Sequence, residues 1–137
     1  MDEDAINTVV CEHLEAQGWR VEQRRRTQEY HVDIVAVDPA GGRRRLIEVA
    51  GGTSSRPDSA RHGREFTPSQ IAAHVARVLL TALKARSAHP DPSSHEVVVA
   101  VPDDRYHRGH LTAAAGALRM AGVQAWFVAE DRSVSPL

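Results

Sequence analysis

The chain has 137 residues, of which 42% are hydrophobic and 26% charged, and its net charge at neutral pH is −1. That length suits a single domain over residues 1–137, and no apolar run approaches the roughly 20 residues of a membrane helix, so a bilayer-spanning helix is excluded. A net charge this close to zero creates no overall field for nucleic acid, and such a partner has to be sought in local charge. The acidic start Met1-Asp2-Glu3-Asp4 lacks the basic and apolar pattern of a secretory signal, and Cys11 has no second cysteine to pair with. Both features predict a cytoplasmic protein.

Along the chain, Ile6, Val10 and Leu14 recur every fourth residue with Val9 beside them. They predict a first helix over 3–17 that buries this stripe, with Cys11 packed in it and Gly18 ending it. Strands are expected over 19–23, 30–37 and 44–49, the last two joined by a hairpin through Asp38-Pro39-Ala40-Gly41-Gly42. Residues 51–65, rich in Gly, Ser and Arg, read as a loop. Thr67 and Pro68 then open a second helix that runs to about residue 86 and buries Ile71, Val75, Val78, Leu79 and Leu83. A connector over 87–94 leads to the continuous apolar run at 96–101, which suits a strand covered on both faces. A third helix over 111–120, capped by Gly122, a strand over 124–128 and a polar tail complete the chain. The order α-β-β-β-α-β-α-β predicts an α/β fold in which helices flank a mixed central sheet.

Two acids interrupt the apolar strand pattern. In Ile47-Glu48-Val49-Ala50, side chains alternate, so Glu48 and Ala50 share one face of the strand while Ile47 and Val49 share the other. Asp33 holds a similar position in His31-Val32-Asp33-Ile34-Val35. If the hairpin pairs these strands, both carboxylates reach the same end of the sheet and form a hard oxygen site suited to Mg²⁺ or Mn²⁺. The plainer alternative is a pair of edge acids that face water or meet an arginine such as Arg44 or Arg45.

Asp33, followed about fifteen residues later by Glu48-Val49-Ala50, resembles the D…(D/E)xK signature of the PD-(D/E)xK nuclease superfamily. The element order through Val101 is similar to the restriction-endonuclease-like core of that group. The resemblance implies metal-dependent hydrolysis of phosphodiester bonds in DNA, with Asp33, Glu48 and the Val49 carbonyl holding Mg²⁺ or Mn²⁺ and Gln70 of the second helix supporting the site. In related proteins the first helix often carries a glutamate toward the metal, where this chain offers Asn7 with Asp4, Glu12 and Glu15 nearby. Ala50 occupies the position of the motif lysine and can neither donate a hydrogen bond nor carry charge, so the nuclease is expected to be inactive or impaired. Three explanations stay open: decay to a binding module, compensation by an arginine or by Lys84, the one lysine in the chain, or an alanine introduced to silence the enzyme.

Beside this motif, Ser54, Ser55, Arg56, Arg61 and Arg64 of the loop, with His74 on the Gln70 face of the second helix, are expected to contact nucleic-acid phosphate. The runs at Arg24–Arg26 and Arg43–Arg45 read instead as solvated faces. His31, His107 and His110 lack companions at zinc-site spacing. The alternative to a nuclease is a non-catalytic module that keeps the fold to bind nucleic acid or to dock in a larger defence or repair complex. A third reading is an α/β interaction domain with no nucleic-acid role. Pairing of two copies through the final helix and strand is a further expectation.

Overall fold

The structure is a computed structural model that describes residues 1–53 and 64–137. Ser54, Ser55, Arg56 and Arg61, expected to contact phosphate, lie outside the described residues. Ten elements follow one another: α1 (Glu3–Ala16), β1 (Arg20–Gln23), β2 (Ile34–Val37), β3 (Arg44–Val49), α2 (Pro68–Ala88), β4 (His95–Pro102), α3 (Arg105–Ala113), α4 (Ala115–Ala121), β5 (Val123–Val128) and β6 (Val134–Pro136). The strands form one mixed sheet in the order β1-β2-β3-β4-β5-β6. β3, β4 and β5 are parallel at its centre, and the pairs β1/β2, β2/β3 and β5/β6 are antiparallel.

This topology distributes the helices. The crossovers from β3 to β4 and from β4 to β5 step in one direction across the sheet, and their shared right-handedness puts α2, α3 and α4 on one face. The opposite face is left to α1. The β3 alternation divides accordingly: Leu46 and Ala50 join the core beneath α2, while Ile47 and Val49 join Ile6, Val10 and Leu14 beneath α1. Val97, Val99 and Val101 of β4 face the first core and Val98 and Ala100 the second, so this strand is buried on both sides, as its unbroken apolar run predicts. Cys11 is fully buried in the α1 layer, which suits packing.

Four local readings change. The third helix starts earlier than expected because Asp104 accepts hydrogen bonds from the Tyr106 and His107 amides and caps it, and it is split at Ala114 into α3 and α4. The tail adds the edge strand β6 against β5. Leu83, expected in the core, is 43% exposed, because the buried stripe of α2 continues through Ala82 instead. β2 begins at Ile34, so Asp33 stands before the strand and not within it.

One close approach fixes where α1 begins. A Cβ on Gly51 would lie 2.4 Å from the Glu3 amide nitrogen and 3.0 Å from its Cα, both rigid backbone atoms. Gly51 therefore lets the first turn of α1 rest on the chain leaving β3. Gly51→Ala is expected to push that turn outward and to destabilise the fold by about 1–3 kcal/mol, as overpacked sites do. A thermal melt against wild type checks this, and an unchanged midpoint would show that the helix start is free to move.

Candidate functional site

β2 and β3 pair with Ile34 opposite Ile47, which sets Asp33 and Glu48 side by side at one end of the sheet. Glu48 is 3% exposed and Asp33 9%. Because Asp33 precedes the strand, its carboxylate turns back, and Oδ2 accepts a hydrogen bond from the Val49 backbone amide at 2.8 Å. Asp33 thus anchors the end of β3 as well as contributing charge.

The cation at this pair comes from the run that sequence reading assigned to a solvated face. The Arg26 guanidinium donates to Glu48 Oε1, and its Nε lies 3.7 Å from Asp33 Oδ1. Arg44 and Arg45, named as alternative partners, are engaged elsewhere. Arg44 faces Glu22 at 3.5 Å, while Arg45 pairs with Glu96 and lies over Trp19, 4.1 Å from the ring centre. Arg43 also meets Glu96, at 2.8 Å, so this second arginine run is largely committed to ion pairs. Arg24 pairs with Glu15 on the surface, and of the first run Arg26 alone reaches the acid pair.

Burial, the neighbouring Asp33 charge and a side-chain hydrogen bond with Asp33 outweigh Arg26 and push the Glu48 carboxyl up to about 8. The second Glu48 oxygen, Oε2, is buried without a hydrogen-bond partner. A third acid stands close by. Glu3, in the first turn of α1, is raised by the crowding of protein around it and then by Asp33 and Asp4, while Arg26 and Arg77 pull it down. Glu3 is one helical turn before Asn7, and the Gly51 contact brings this earlier turn, not the Asn7 turn, to the acids. Arg77 of α2, exposed, acts on Glu3 but not on Glu48. Glu3 and Arg26 are the site residues that sequence reading missed, whereas the spacing of Gln70, His74 and Arg77 already puts Arg77 on one helical face with the other two.

The remaining predicted residues divide. Ala50 is 2% exposed and packs into the core beneath α2, with its amide bonded to the Ala100 carbonyl at 3.0 Å. Gln70 closes a capping box: its Oε1 accepts from the Thr67 amide at 2.8 Å, and its own amide donates to Thr67 Oγ1. That engagement holds the start of α2. His74 stacks on Phe66 with ring centres 4.4 Å apart, and burial followed by Arg77 lowers its pKa. Arg64 is exposed beside the bridge between Thr53 and Glu65. His107 is fully buried, with Nδ1 2.7 Å from Asp104 Oδ2, a core histidine held by the acid that caps its helix.

The Asp33–Glu48 pair suits a hard divalent ion, with two carboxylates and one buried oxygen lacking a partner. Among the described residues no three His, Cys, Asp or Glu side chains are grouped to hold a metal together. Arg26 stands where an ion would meet both acids, and its half-exposed side chain has to withdraw for one to enter. Among the described residues, no helix is long and apolar enough to cross a membrane. Comparison with protein-family models, with curated proteins and with solved structures found no match to this chain.

Proposed function

We propose that this chain is a PD-(D/E)xK-type, metal-dependent phosphodiesterase domain acting on DNA, in which Asp33 and Glu48 hold the ion and the loss of lysine at Ala50 impairs hydrolysis. The observation that carries the reading is the buried acid pair at one sheet end, with Asp33 and Glu48 close enough that Asp33 adds to burial in raising the Glu48 carboxyl to about 8. A carboxyl this deep in a domain costs stability when charged, and burying two together is hard to explain by packing alone. When bound, Mg²⁺ or Mn²⁺ would supply charge stabilisation on the phosphate and a water of lowered pKa. The chain's own part is to hold the acids. Asp33 is fixed by the Val49 amide, Glu48 by its place in β3, and Arg26, once released from Glu48, is a donor for a phosphate oxygen.

The second reading, a non-catalytic module that binds nucleic acid or docks in a defence or repair assembly, is favoured by a different observation. Arg26 already occupies the acid pair from within the chain, and the Ala50 side chain is packed in the core, away from water.

The test is cleavage of supercoiled, linear and single-stranded DNA with Mg²⁺ or Mn²⁺ by wild type, Ala50→Lys, and Ala50→Lys combined with Asp33→Asn. The expected result is cutting by Ala50→Lys that the added Asp33→Asn abolishes. If no form cuts any substrate while each remains folded, the catalytic reading is lost and the binding module replaces it.

A further inference from the structure

A cleft of about 500 Å³ opens beside the acid pair, between the segment leading into β2 and the C-terminal half of α2. Its size falls in the roughly 300–1,000 Å³ range of small-molecule sites. Val32 and Leu46 line its apolar part, Tyr30 and His89 contribute rings, Lys84 and Arg26 contribute two cations, and Glu29 contributes one carboxylate, so the cations outnumber the acid. The Tyr30 and His89 rings are 5.3 Å apart, and His89 in turn stacks on His95 at 4.4 Å, so the aromatic side is held from behind. Arg26 belongs to both places: it lines the cleft and it bonds Glu48.

We infer that this cleft takes one unpaired nucleotide of a single strand, its base against Tyr30 and His89 and its phosphate between Lys84 and Arg26. Three features select that ligand. Apolar and aromatic surface offers a base its flat contact, and such stacking needs the base out of a duplex. The cations are those a phosphate requires, and Lys84 is the chain's only lysine. Arg26 both lines the cleft and contacts the acid pair, so a strand whose phosphate meets Arg26 has its next phosphodiester near Asp33 and Glu48. That last step rests on the phosphodiesterase reading; the binding of the nucleotide does not.

The experiment is fluorescence anisotropy of a labelled oligothymidylate and of a duplex of matched length, with the whole chain in EDTA. Wild type is expected to prefer the single strand. Tyr30→Ala should weaken single-strand binding about tenfold, the effect of losing one base–aromatic stack, and Tyr30→Phe should restore it. Ala88→Trp, at an exposed lining position at the end of α2, fills the cleft without touching the core and should weaken the same binding while leaving the melting temperature in place. Equal affinity of wild type for both DNA forms, or single-strand binding that ignores both Tyr30→Ala and Ala88→Trp, overturns the inference. The two readings fail separately. Loss of all cleavage with these binding effects intact removes the nuclease and keeps the cleft, whereas cleavage by Ala50→Lys with indifferent binding does the reverse.

Discussion

Glu48→Gln is expected to leave the folded protein more stable than wild type in mildly alkaline solution, by on the order of a few kcal/mol. The Glu48 carboxyl titrates near 4.5 when free and is raised to about 8 in the fold by burial and by Asp33, against Arg26. Between those values the unfolded chain has given up a proton that the native state keeps, so native stability falls as pH rises through the window. The penalty is absent below the lower value and complete above the upper one. Glutamine does not titrate, keeps the size of the side chain and still offers an oxygen to Arg26, so the variant should lose this dependence. Chemical denaturation of both proteins at about pH 5 and about pH 9 makes the comparison, and the gap between them should widen at the alkaline end. A constant gap would mean that Arg26 holds Glu48 charged throughout. A divalent ion, which needs the charged form, should for the same reason bind wild type more tightly as pH rises toward 8 and release a proton on binding.

Asp33→Ala and Asp33→Asn should separate the two duties of that residue. Alanine removes the acceptor of the buried Val49 amide and is expected to cost about 1–3 kcal/mol, the penalty of an unsatisfied buried donor. Asparagine retains a side-chain oxygen for that amide and loses only the charge, so most of the stability should return. Both variants should lose Mn²⁺ binding measured calorimetrically. If asparagine melts as low as alanine, the carboxylate charge and not the hydrogen bond holds the end of β3. A metal-binding loss seen with alanine alone would trace to the displaced strand, which is why the asparagine variant is the informative control for cleavage.

Much of the architecture was legible in the residues because its signals are local. The four-residue spacing of Ile6, Val10 and Leu14 marks α1, the Thr67-Pro68 start marks α2, and the apolar run at 97–101 marks a strand covered on both faces. The paired acids were legible for the same reason, since a carboxylate among valines and isoleucines stands out against the strand pattern. Short or weakly patterned pieces were not: β6 has three residues and exists only because β5 offers it an edge, and the start of α3 depends on the Asp104 cap.

What only the tertiary structure decided is which side chains meet the acids. Arg24, Arg25 and Arg26 are equivalent as a sequence run, and the bend before β2 aims one of them at Glu48 while Arg24 turns to Glu15. Glu3 joins through a backbone contact at Gly51, 48 positions away in the chain, which no local pattern encodes. By itself the sequence determined that this is an α/β chain with two carboxylates at the end of a hairpin, because alternation and turn chemistry act over a few residues. The charge and protonation of that pair were decided by burial, by Arg26 and by the helix start laid across Gly51, because electrostatics depends on distance in space and on the water that folding removes.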